Sequence, residues 1–229
     1  MVKGKIFDER GEQLKMKKSF AVEKRLEPFY TGGAVVLSPD QAFLFCLCEN
    51  QVKVVDLATG QAVNTFGNEE DAAITICVSD EILFTAHRAS HLVKQWNWRT
   101  PAGEEAHVRS FKAHPVPVTS LAMDPSNSLV ATGATDGGVR VWDIEGNFCT
   151  HQFKGSRGVV GLLKFHPTAL HLFSSADDLL LKQWDLESGN LVRDYKGHVS
   201  AVTSLVFLDD NTCVSAGRDK VNTISLRIE

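Results

Sequence analysis

The chain has 229 residues, 43% hydrophobic and 23% charged, enough to bury a substantial core and ordinary for a globular protein. No apolar run approaches the roughly 18 residues of a membrane helix, and the N-terminus lacks the apolar centre of a signal peptide, so an intracellular chain without membrane contact is expected. A net charge of −4 excludes a protein whose whole surface wraps nucleic acid, because neutralising phosphates takes clustered Lys and Arg.

The first 18 residues set Lys3, Lys5, Arg10, Lys15, Lys17 and Lys18 against Asp8, Glu9 and Glu12, a local balance of +3. Such a stretch reads as a flexible basic tail over 1–18, with contact to RNA or an acidic partner as the alternative. From residue 19 onward, short runs rich in Val, Ile, Leu and Phe are broken by Gly, Asp, Asn and Pro, the pattern of antiparallel strands joined by tight turns. Two four-strand units are expected over 33–66 and 74–111. A third has strands at 118–123, 129–133, 138–143 and 149–153, and a fourth at 159–165, 171–175, 180–185 and 191–195. A fifth begins the same way at 202–207 and 212–216, then stops after 221–226.

The units repeat. Val139 Arg140 Val141 Trp142 Asp143 Ile144 returns as Leu181 Lys182 Gln183 Trp184 Asp185 Leu186, and more weakly at 93–98 and 52–57. The Trp142 slot falls on Val55, Trp96, Trp142, Trp184 and Ser225, in steps of 41, 46, 42 and 41 residues. Independently, His114 and the run 118–123 return as His198 and 202–207, an offset of 84, or two periods of 42. A period near 40 to 45 with Trp-Asp endings and four strands per unit is the WD40 signature, each unit one blade of a β-propeller. The expected fold is therefore all-β, an incomplete WD40 propeller. It has four full four-stranded blades (about 19–66, 67–111, 112–153 and 154–195) and three strands of a fifth (196–229). Unpaired edges at both ends make it an open arc and suggest a truncated form.

A buried indole N–H needs an acceptor, so the polar residues at fixed places in each blade have structural work. His114, Thr132, Asp136 and Trp142 make the fullest set. Asp178 with Trp184 has Ser156 where the His belongs, and His198 with Asp219 has no Trp. Reading His114 or Asp136 as catalytic is disfavoured on this ground. His87 and His91 have the i, i+4 spacing of a zinc helix, but Arg88 stands where a metalloprotease needs Glu, and the segment reads as a turn. Lys154 Gly155 Ser156 Arg157 Gly158 lacks the first Gly and the following helix of a phosphate loop. With no nucleophile elbow, carboxylate pair or dinucleotide fingerprint, no catalytic residue, cofactor or metal is expected, and the protein is read as non-enzymatic. Cys46, Cys48, Cys77, Cys149 and Cys213 fall in strands without a CxxC pair, as reduced, buried small hydrophobes. Partner contacts would come from loops, where Arg88, Trp98, Arg157 and Arg218 are candidate anchors.

Several segments carry a narrower resemblance. The stretch from Phe20 Ala21 Val22 Glu23 through Tyr30 Thr31 Gly32 Gly33 is similar to the opening of the transducin beta-like protein 3 family. So are Leu44 Phe45 Cys46, Lys94 Gln95 Trp96, the run Phe153 to Val160, Leu172 Phe173 Ser174 Ser175 Ala176 and Gly217 Arg218 Asp219 Lys220. The likeness covers roughly residues 19 to 222. That family is a nucleolar scaffold with two tandem propellers and a helical tail, part of the small-subunit processome that assembles on precursor ribosomal RNA. The resemblance implies a role in precursor ribosomal RNA processing, a nucleolar location and other WD40 scaffold subunits as partners, with contact to the RNA or to small nucleolar ribonucleoprotein indirect. The alternative is a cytosolic WD40 adaptor in signalling or ubiquitin ligation.

Overall fold

The computed structural model describes residues 30–101, 104–218 and 224–227. The expected tail over 1–18, the segment 19–29, Asp219 and the start of the last strand at 221–223 lie outside the described residues. Every regular element among the described residues is a β-strand.

The first sheet runs β1 (Val35–Leu37), β2 (Phe43–Cys48), β3 (Gln51–Asp56), β4 (Gln61–Phe66), each antiparallel to the next. The second runs β5 (Ala73–Val78), β6 (Ile82–His87), β7 (Val93–Asn97), β8 (His107–Phe111). The third runs β9 (Val118–Met123), β10 (Leu129–Ala134), β11 (Val139–Asp143), β12 (Cys149–Phe153). The fourth runs β13 (Leu162–Phe165), β14 (His171–Ser175), β15 (Leu181–Asp185), β16 (Leu191–Tyr195). The fifth has three strands, β17 (Val202–Asp209), β18 (Thr212–Gly217) and β19 (Ile224–Arg227).

First strands pack side by side, β1 on β5, β5 on β9, β9 on β13 and β13 on β17. No comparable packing joins β17 to β1 among the described residues, so the blades form an open arc. The core is divided into seams between blades. Phe45, Val54 and Phe66 meet Ile76, Leu83 and Trp98 at the first, and Val139, Val141 and Phe153 meet Leu163, Phe165 and Trp184 at the third. Inner strands covered on both faces read as near-continuous apolar runs, which is why Phe43–Cys48 shows no alternation. At the ends of the arc the same positions lie open. Val35 is 48% exposed, whereas its counterparts Ile76, Leu121, Leu163 and Leu205 are buried between sheets. At the other end Val206 and Leu208 are 54% and 66% exposed.

Aromatic rings stitch the seams in register. Phe66, Phe111 and Phe153, each closing an outer strand, meet Trp96, Trp142 and Trp184 of the following blade at centroid distances of 5.8, 5.0 and 4.7 Å. Offset ring pairs of this kind add about 0.5–1.5 kcal/mol beyond their buried area.

Strand pairing corrects the fifth Trp slot. Trp96, Trp142 and Trp184 stand opposite Leu83, Val130 and Leu172, two positions before Thr85, Thr132 and Ser174 on the partner strand. In the last blade the matching hydroxyl is Ser215, so the slot lies opposite Cys213 and is Leu226, not Ser225. Ser215 to Leu226 spans 11 residues, as Thr85 to Trp96 does, and Trp184 to Leu226 is a step of 42. A slip of one residue exchanges the two faces of a strand, which makes this more than a boundary detail. A second correction concerns Cys149. It lies on an outer strand and is exposed, while Cys46, Cys48, Cys77 and Cys213 are buried.

Candidate functional site

Each full blade after the first carries a hydroxyl on its second strand that receives the indole N–H of its third strand. The Nε1 of Trp96 donates to Thr85 Oγ1 at 2.9 Å, that of Trp142 to Thr132 Oγ1 at 3.1 Å, and that of Trp184 to Ser174 Oγ at 2.7 Å. Thr85, Thr132 and Ser174 are fully buried, so an unmatched hydroxyl there would forfeit its hydration without return. In the third blade His114 Nε2 lies 2.9 Å from Thr132 Oγ1, joining His114, Thr132 and Trp142. Asp136 stands apart from this chain. Its Oδ1 accepts the Gly138 amide at 3.0 Å and holds the turn. The turn itself needs Gly137, whose φ is +78° and where a Cβ would run into the Ser156 carbonyl.

The other predicted sets are placed as follows. In the fourth blade Asp178 lies 3.2 Å from Lys182 Nζ, which also meets Asp194 at 3.3 Å, so a buried lysine occupies the neighbourhood in which a histidine was absent. In the fifth blade His198 Nε2 meets Ser215 Oγ at 2.7 Å. Asp219 lies outside the described residues.

The second blade holds a set that sequence reasoning missed. His87 is not in a turn; it ends β6, is fully buried, and its Nε2 lies 2.8 Å from Thr85 Oγ1. Its Nδ1 lies 2.7 Å from the Asp71 carbonyl oxygen. A carbonyl can only accept, so the neutral ring carries its proton on Nδ1 and Thr85 donates to Nε2. The result is a directed chain, Trp96 to Thr85 to His87 to Asp71. Asp71 in turn accepts Ser90 Oγ at 2.6 Å and sits 3.6 Å from Lys94 Nζ. The signal available in the sequence was a Thr two residues before a His, eleven before a Trp. A hydroxyl beside a histidine could serve as nucleophile and base in an open cleft, but Thr85 and His87 are both 0% exposed and no substrate reaches them.

Two predictions arise here. Thr132→Val keeps the shape and removes the acceptor of Trp142 and the partner of His114, so urea denaturation should show a loss of about 2 kcal/mol. An unchanged midpoint would mean that water replaces the hydroxyl. The second concerns pH. His87 and His114 are both held below the ordinary histidine value of 6.5, first by burial and, for His114, next by the Arg140 charge. Below pH 6.5 the unfolded chain therefore binds more protons than the folded one. Stability is full above about pH 6.5 and is lost as pH falls from there toward the folded-state values. Urea midpoints should be level from pH 8 to 7 and decline between about 6.5 and 5; a midpoint that rises on acidification contradicts this.

Of the four candidate anchors, Arg88, Arg157 and Arg218 are exposed. Trp98 is not an anchor. It is 5% exposed, meets Phe43 and Phe45 edge-on at 5.4 and 5.0 Å, and donates Nε1 to the Ser79 carbonyl at 2.9 Å. Its place two residues beyond the Trp96 slot puts it under the first seam rather than on a loop surface.

The repeat family described as WD domain, G-beta repeat matches residues 105–143, 147–185 and 189–221. The chain is a WD40-repeat protein. This WD40 chain is 44% identical over 214 residues to transducin beta-like protein 3 of Rattus norvegicus, covering 90% of this chain and 26% of that one. It is 31% identical over 147 residues to U3 small nucleolar RNA-associated protein 13 of Saccharomyces cerevisiae, covering 62% of this chain and 17% of the other. The chain thus spans about a quarter of the length of the first of these relatives. Among solved structures, one of the mitotic checkpoint complex matches with a TM-score of 0.73 at 20% identity over 82% of this chain and 59% of that one, a likeness of fold alone.

Proposed function

We propose that this chain is a non-enzymatic WD40 interaction scaffold acting in precursor ribosomal RNA processing within the small-subunit processome. The observation that carries the reading is the 44% identity to transducin beta-like protein 3 along 90% of the chain. The likeness to a protein named for its association with U3 small nucleolar RNA points the same way. The hydroxyl, histidine and indole groups of the second and third blades are engaged with one another in hydrogen bonds, which suits a protein that works by its surface. On this reading the blades fall at about 19–66, 67–111, 112–153, 154–195 and 196–229, with 1–18 a basic tail. The protein resides in the nucleolus, its partners are other WD40 subunits, and its contact with precursor RNA or ribonucleoprotein is indirect.

The test is affinity purification of the tagged chain from nucleolar extract, with U3 small nucleolar RNA measured by quantitative PCR and proteins by mass spectrometry. Enrichment of U3 RNA together with WD40 processome subunits is expected. Recovery of cytosolic signalling or ubiquitin-ligase subunits without U3 RNA would favour a cytosolic adaptor instead.

A further inference from the structure

Strands alternate in direction within each sheet, so the connections between blades and the turns between second and third strands share one end of the arc. At that end a lysine follows the outer strand in three successive connections, Lys112, Lys154 and Lys196, spaced by 42 residues and all exposed. Of these, Lys154 lines a niche of about 220 Å³ with Arg140, Gln152, Gly155, Ser156 and Asp136, where the third blade meets the connection to the fourth.

The lining is rich in donors. Neither Lys154 nor Arg140 forms an ion pair among the described residues. One Nη of Arg140 donates to the Ala113 carbonyl at 2.5 Å. Ser156 Oγ is shielded from solvent and has no hydrogen-bond partner among the described residues. Gly155 has φ +140°, and the nearest heavy atom to a Cβ there would be a Trp184 ring carbon at 3.8 Å, so this wall carries no side chain. Two cations against the single carboxylate of Asp136 give the lining a formal charge of +1 within a chain of −4.

We propose that this niche binds the carboxylate side chain of an acidic segment of a partner protein. The lining offers an ammonium, a guanidinium and an amide to an acidic head group, and charge-assisted hydrogen bonds of this kind are the strong ones. A nucleic acid fits less well. Its backbone needs a continuous run of cations, whereas Asp177, Asp178, Glu69 and Glu70 interrupt this end of the arc. The proposal stands on the niche alone and does not depend on the processome reading.

The experiment is calorimetric titration of the full chain with an acetylated tri-glutamate peptide, a tri-glutamine peptide, inorganic phosphate and oligo-uridine. Tri-glutamate should bind in a salt-sensitive way and tri-glutamine should not. Lys154→Glu should weaken tri-glutamate binding at least about tenfold, the cost of replacing an attraction by a repulsion in a partly enclosed site. Lys112→Glu, at the equivalent position of the previous connection, should leave it within about twofold. Both lysines are exposed, so circular dichroism should show unchanged folding. No binding of tri-glutamate, or equal losses in the two variants, overturns the site. Tighter binding of phosphate or oligo-uridine than of tri-glutamate overturns its assignment to a protein carboxylate.

Discussion

Trp184→Ala is expected to destabilise the chain by about 3–5 kcal/mol, the usual range for deleting a buried aromatic. Trp184 is 4% exposed and lies in the seam with Leu163, Phe165 and Leu172. It stacks on Phe153 of the preceding blade at 4.7 Å with planes 23° apart, so the ring holds two blades together rather than one. Its loss also leaves Ser174 Oγ buried without the indole donor that meets it at 2.7 Å. Trp142 makes the same hydrogen bond but is only half-buried, and Trp142→Ala should cost visibly less. Guanidinium denaturation of both variants tests the ordering. Equal losses would mean that burial at the seam does not set the cost.

Trp98→Ala should cost a similar about 3–5 kcal/mol through the first seam. The ring lies edge-on to Phe43 and Phe45, caps the Ser79 carbonyl, and carries the Arg99 guanidinium 4.2 Å from its centroid. Arg99 in turn meets Asp40 at 3.0 Å, and the Ser38 hydroxyl with that guanidinium holds the Asp40 carboxyl down at about 2. The expected signature is a lower denaturation midpoint with undiminished binding of any partner by the folded fraction. Loss of partner binding at full stability would restore Trp98 as a surface anchor.

The repeat was legible because a propeller spends its sequence on strand ends. Trp142, Trp184 and the His114 to Met123 register recur at fixed spacing, and the third and fourth blades follow from them closely. What escaped was substitution within the pattern. In the second blade the histidine sits on the strand at His87, two residues past Thr85, instead of in the preceding connection as His114 does; a search keyed to loop position passes over it. Trp98 was misread because a turn position says nothing of the neighbouring blade folded over it. A step of 42 from Trp184, equal to the step before it, reaches Leu226 as the pairing does, so the slot at Ser225 was one residue short. The niche beside Lys154 had no signal beyond the small residues Gly155 and Ser156, since its walls come from two blades.

The central claim is that the buried pairs Thr85 with His87 and Thr132 with His114 are struts that tie strands together rather than a reactive site. Long-range proton–nitrogen correlation spectra of the histidine side chains between pH 8 and 5 test it most directly. His87 should appear neutral with its proton on Nδ1, and His87 and His114 should both still be neutral at the ordinary histidine value of 6.5. Reversible titration of either ring near that value in an intact fold would contradict the account, because a solvent-accessible histidine is what a catalytic site would need and what a buried strut cannot be.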